Sequence, residues 1–87
     1  MAKKKKTKKR KRKAAVPSTR LNKTIGKRVR KERQGKELTI REVADHTGLT
    51  ASQLSQVELG KNAASIAALV RIAKALRVRP AHLLSDL

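Results

Sequence analysis

Thr39-Ile-Arg-Glu-Val-Ala-Asp-His-Thr-Gly48-Leu-Thr-Ala-Ser-Gln-Leu-Ser-Gln-Val-Glu58 divides itself into two short helices. Thr39 followed by Glu42 has the form of a capping box, which starts a helix by satisfying free backbone N–H groups. Val43 and Ala44 fall on the inner face of that helix. Gly48 stops it, at a turn where a left-handed backbone is expected. Leu49 plugs the turn from below. Thr50 with Gln53 repeats the box and starts the next helix, whose inner face is Leu54 and Val57. Ala44 is small where the two axes must approach. The outer face of the second helix presents Ala51, Ser52, Ser55, Gln56 and Leu59. A pair of helices of this kind lays its second member in the major groove of DNA.

Helical patterning continues on both sides. Upstream, Leu21, Ile25, Val29 and Arg33 recur every four residues and form one stripe, which Gly35 ends. Downstream, Gly60 stops the helix begun at Thr50. Ser65 can cap a fourth helix with Ile66, Leu69, Val70, Ala73 and Leu76 on its inner face. Pro80 suits the first turn of a short fifth helix carrying Leu83 and Leu84. No alternating strand pattern occurs. Five helices in residues 21–87 make a compact all-α domain, with a small core and a stability of a few kcal/mol.

Ahead of it lies a segment of different physics. Residues 3–13 hold ten Lys or Arg, interrupted only by Thr7. Such a block repels itself and buries nothing, so residues 1–20 are expected to form a disordered basic tail. Ala14 to Thr19 reads as a linker, because Pro17 disfavours helix at Val16. Residues 1–20 contribute 11 basic groups and no acid, and residues 21–87 contribute 13 basic and 6 acidic groups. The formal net charge of +18 points to a polyanion as partner. The tail fits a DNA-binding arm, a nuclear address, an RNA contact or a solubilising extension.

At this point residues from about Ile25 to Leu84 resemble the lambda-repressor-like (Cro/cI, XRE-type) helix-turn-helix family. The resemblance rests on Ile25-Gly-Lys-Arg-Val-Arg-Lys-Glu-Arg33, Leu38-Thr39, Val43-Ala44, Gly48-Leu49-Thr50, Leu54-Ser-Gln-Val-Glu58, Gly60-Lys61 and Ile72-Ala-Lys-Ala-Leu76. It implies a five-helix DNA-binding domain, acting on double-stranded DNA as a homodimer on a palindromic site. By the same resemblance Ala51, Ser52 and Gln56 face base edges. Gln pairs bidentately with adenine, and Ala touches a thymine methyl. Ser55, Lys61 and Asn62 approach phosphates, and Arg33 and Glu58 form a partly buried ion pair. The family often has Gln at position 40 for a phosphate contact. Here Ile40 stands there, and Arg41 is the substitute. Ala63-Ala64 replace a common Pro. Glu37 and Arg77 replace common glycines, at the expense of strain wherever that backbone is left-handed. The outer face of the recognition helix has no Lys or Arg, so phosphate contacts should carry much of the binding.

Several classes are excluded on chemistry. There is no Cys, hence no disulfide or thiolate metal site. There is no aromatic residue on which a single-stranded base could stack. No apolar run reaches the roughly 18 residues of a membrane span, and no apolar segment follows the basic start as in a secretory signal. His46 and His82 share no ligand spacing. His82, Ser85 and Asp86 crowd one turn without an oxyanion loop, so neither a metal nor an enzyme is expected. No glycine-rich phosphate loop occurs; Gly26, Gly35, Gly48 and Gly60 read as helix punctuation. No effector segment follows Leu87, so no small-molecule ligand and no cofactor is expected. Leu59, Leu83, Leu84 and Leu87 either finish the core or form a dimer seam. The expected function is transcriptional regulation, as a repressor, by a cytoplasmic, nucleoid-bound protein, or a nuclear one in a eukaryote. An architectural DNA-coating protein is the alternative, and an antitoxin or adaptor a further one.

Overall fold

The computed structural model describes residues 11–85, and the side chains of residues 20–85. Five helices follow one another: α1 (Lys11–Gly35), α2 (Ile40–Thr47), α3 (Ala51–Glu58), α4 (Ile66–Leu76) and α5 (Pro80–Leu84). No strand occurs among the described residues. α2 packs on α3 and α4, α1 crosses α3, and α5 closes the bundle against α4 and α1.

The helix starts follow from local chemistry. Thr39 and Thr50 each accept from the N–H three residues on, and Glu42 and Gln53 reach back to the cap N–H, so both capping boxes are complete. The N–H of Thr39 chiefly, and the Thr39 hydroxyl after it, hold the Glu42 carboxyl below the ordinary carboxylate range. Ser65 accepts from Ala68 N at 3.0 Å, and Pro80 opens α5. The ends are equally explicit. Leu38 N donates to Arg33 O and Glu37 N to Gln34 O; Val78 N donates to Ala73 O and Arg77 N to Lys74 O. Both pairs are the double bond of a helix ending in a left-handed residue, at Glu37 (φ 57°) and Arg77 (φ 60°). Neither position is glycine, so each stores strain.

The core is aliphatic throughout: Val29, Val43, Ala44, Leu54, Val57, Ile72, Ala73, Leu76 and Leu83. Ile25, Leu38, Ile40 and Leu49 pack around it. Thr47 is buried among them; its hydroxyl donates to Ala44 O and accepts from Leu49 N, stitching the turn between α2 and α3.

Two sequence expectations change. The inner face of α4 is Ala68, Leu69, Ile72, Ala73 and Leu76, while Ile66 is 74% exposed and Val70 also faces outward. α4 is apolar nearly all round, so its periodicity leaves the register open and packing against α2 decides it. Gly26 is not punctuation. It lies inside α1 at the crossing with α3, where an added methyl would press into Val57 O and stand 2.5 Å from Glu58 O. α1 itself begins at Lys11. Lys, Arg and Ala are strong helix formers, and Pro17 removes one backbone bond from a helix of 25 residues. Residues 1–10 and 86–87, which include most of the basic run and Leu87, lie outside the described residues.

Candidate nucleic-acid interface

α3 is held from within and left open without. Leu54 and Val57 anchor it to the core, and Glu58 is buried at its last turn. Arg33 on α1 reaches that carboxylate with two donors: Nε to Oε2 at 2.7 Å and Nη2 to Oε1 at 3.1 Å. Its third donor, Nη1, goes to Leu38 O at 2.8 Å. The fork therefore ties α1, the α1–α2 connection and the end of α3 together. Hydrogen bonding to Glu58 raises the Arg33 pKa still further, so the guanidinium stays charged. The close crossing at Gly26 sets the distance between the two axes.

The opposite face of α3 is polar and uncharged. Ser52 and Gln53 are exposed, and Ala51, Ser55 and Gln56 are half-buried. Gln53 spends its amide oxygen on the Thr50 N–H. Ser52 and Gln56 stand one turn apart, on one side of the helix. The chain leaves α3 through Gly60 (φ 76°), and both Lys61 N and Asn62 N donate to Gln56 O. Lys61 and Asn62, both exposed, are thus fixed at the C-terminal end of the same helix. Arg41 is exposed in the first turn of α2, beside Ile40, which turns into the core. Ala51, Ser52, Ser55, Gln56, Lys61 and Asn62 thus gather on α3 and its exit, and Arg41 stands apart on α2.

Some supporting residues escape a reading by pattern. Arg28 Nη1 donates to Leu83 O at 3.2 Å and also bonds Ser85 O, fastening α5 to α1. His82 Nε2 lies 2.7 Å from Glu32 Oε2, and Lys36 Nζ binds the other oxygen at 3.1 Å. The His82 bond first, and Lys36 after it, hold the Glu32 carboxyl below the ordinary range. No periodicity signals contacts across 50 residues. Thr47 does leave a mark, as a small hydroxyl one residue before a turn glycine. His46, the other histidine, caps its own helix through Nδ1 to Glu42 O. Among the described residues no group of His, Cys, Asp and Glu is arranged to hold a metal. No helix among them is long and apolar enough to cross a membrane.

The family described as Helix-turn-helix (HTH_3) matches residues 29–83. No curated protein matches the chain. Among solved structures, the restriction-modification controller protein C.AhdI from Aeromonas hydrophila is 31% identical, with a TM-score of 0.69, over 71% of this chain and 94% of that one. The clp gene regulator ClgR from Corynebacterium glutamicum is 30% identical, with a TM-score of 0.72, over 74% of this chain and 68% of that one. A second structure of ClgR gives a TM-score of 0.71 over 74% and 83%.

Proposed function

The chain belongs to the XRE-type helix-turn-helix family and is a sequence-specific DNA-binding regulator of that family, and we propose that it reads its site through α3 and acts as a repressor. The observation that carries the assignment to α3 is its mounting. The Arg33–Glu58 fork and the Gly26 crossing hold the helix rigidly from behind. Its free face meanwhile offers only short polar side chains, which suit base edges. In this reading Ala51, Ser52 and Gln56 meet the bases, with Gln56 pairing to adenine. Arg41, Ser55, Lys61 and Asn62 grip phosphates, which fixes register and carries no sequence information. Residues 1–20 form a polybasic arm that adds affinity for any duplex, and residues 21–87 form the reading domain. The controller protein and the clp gene regulator, both regulators by name, support regulation rather than catalysis. A homodimer would match the palindromic sites that paired recognition helices read.

Paired titrations on the preferred duplex and on random duplex test the roles. Gln56→Ala should cost roughly 1–3 kcal/mol on the preferred site and little on random DNA. Lys61→Ala should weaken both alike and reduce the salt slope by about one unit. Equal weakening of both duplexes by Gln56→Ala removes it as a base reader. One observation favours a second reading: α3 carries no Lys or Arg, whereas the chain as a whole is +18. An architectural protein that coats DNA by charge would show the same affinity for every sequence.

A further inference from the structure

α1 overruns the end of α3, and Lys23 stands where it does so. Gly26 meets the carbonyls of Val57 and Glu58 in the last turn of α3. One turn earlier in α1, the backbone of Lys23 lies against Gly60, two residues past Glu58. A methyl on Gly60 would fall 2.7 Å from Lys23 Cα and 2.5 Å from its Cγ, so the stem of Lys23 covers Gly60. Gly60 is accordingly buried, and Lys23 is exposed. Beside this contact Asn22 and Asn62 line one small cavity, together with Val57 and Leu69. α1 thus passes from the back of α3 to its exit, level with Lys61 and Asn62, which follow Gly60 directly.

The chemistry of that place suits an anion from outside the chain. α3 has no Lys or Arg, so cations that meet a duplex on its outer face must come from the segments beside it. Lys23 and Lys61 are like charges on touching segments, and among the described residues neither takes part in a salt bridge. The acid at this end of α3, Glu58, is buried and occupied by Arg33. With its stem laid on Gly60, Lys23 keeps its charged end in solvent. A phosphate between the two ammonium groups turns their repulsion into attraction. We propose that Lys23 binds the phosphate backbone of the same duplex that α3 reads, on the stretch of strand gripped by Lys61 and Asn62. The identity of the duplex rests on the reading of α3 given above; the phosphate contact itself does not.

The test uses the full chain. Lys23→Gln is titrated on the preferred duplex and on random duplex across a salt series. Its log–log salt slope should be shallower by about 0.9 on both, with a loss of roughly eightfold at about 0.1 M salt. Lys23→Arg, which keeps the charge, should bind as wild type does. Lys31→Gln removes the same charge from an exposed position about 12 Å further along α1, away from Gly60, and should leave the slope unchanged. Helical circular dichroism and the thermal transition check that each variant folds. Preferred duplexes that each carry one uncharged methylphosphonate then place the contact on the strand. The position that no longer weakens binding of Lys23→Gln should lie within about two nucleotides of the corresponding position for Lys61→Ala. An unchanged slope for Lys23→Gln overturns the proposal. An equal fall for Lys31→Gln also overturns it, since the loss then follows net charge alone. A Lys23 position remote from that of Lys61 does the same. Failure of the α3 reading shows separately: no methylphosphonate position then stands out even for wild type, and the slopes of Lys23→Gln and Lys31→Gln still decide whether Lys23 grips phosphate.

Discussion

Replacing Gly26 with alanine tests the mounting of α3, because two effects oppose each other there. Gly26 is inside α1, where alanine is the better helix former by about 1 kcal/mol. The added methyl would press into Val57 O and lie 2.5 Å from Glu58 O and 2.9 Å from Glu58 C. Carbon and carbonyl oxygen rest at about 3.3 Å or more even in their closest attractive contacts. The α1 and α3 backbones must therefore separate by roughly 1 Å, since no flexible side chain stands there to yield. Overpacking of this kind costs typically about 1–3 kcal/mol, and obstruction by backbone places this case at the upper end. Set against the propensity gain, the net loss is about 2 kcal/mol. In a domain of this size that lowers Tm by roughly 8–16 °C. Thermal melts by circular dichroism give the shift, and titration of the preferred duplex reads the disturbance of α3. An unchanged or raised Tm would refute the reasoning, for then the crossing has room and Gly26 does not set it.

Three further outcomes follow from particular contacts. Arg33→Ala and Glu58→Ala should each cost about 3–5 kcal/mol in urea unfolding, since each strands a largely buried partner, and the double variant should cost clearly less than their sum; simple additivity would show that the two charges act independently. Glu37→Gly and Arg77→Gly relieve left-handed strain of about 1–2 kcal/mol at the entropic cost of glycine, about 0.5–1 kcal/mol, so each should raise stability by roughly 0.5–1 kcal/mol; destabilisation would contradict this. Glu32, whose folded pKa lies below its ordinary 4.5, stabilises the fold above that value and loses the contribution as pH falls through the lower folded value. Glu32→Gln should therefore flatten the acid side of a Tm-against-pH curve and leave its neutral side parallel to wild type; identical acid limbs would show that the tie to His82 and Lys36 adds nothing.

Local chemistry is legible where a few neighbouring residues decide the outcome. Thr39 with Glu42, Thr50 with Gln53, Ser65, Gly48 and Pro80 mark four of the five helices because caps and turns are satisfied within one turn of chain. The face of α4 is not legible, because Ile66, Val70 and Ile72 are equal candidates until α2 takes one side. Gly26 reads as punctuation because its reason lies 31 residues away, in the carbonyls of Val57 and Glu58. Arg33 and Glu58 stand 25 residues apart, and no pattern in either helix joins them; family resemblance alone suggests the pair. Ser52 and Gln56 can be placed on one face of one helix from spacing alone, whereas the base each meets depends on a partner outside the chain.

The most direct test of the central claim is selection of the full chain on a pool of random duplexes at moderate salt. Reading by α3 predicts a narrow consensus, and loss of preference at a defined adenine when the selection is repeated with Gln56→Ala. Enrichment of no sequence over any other would contradict it, leaving binding by charge alone.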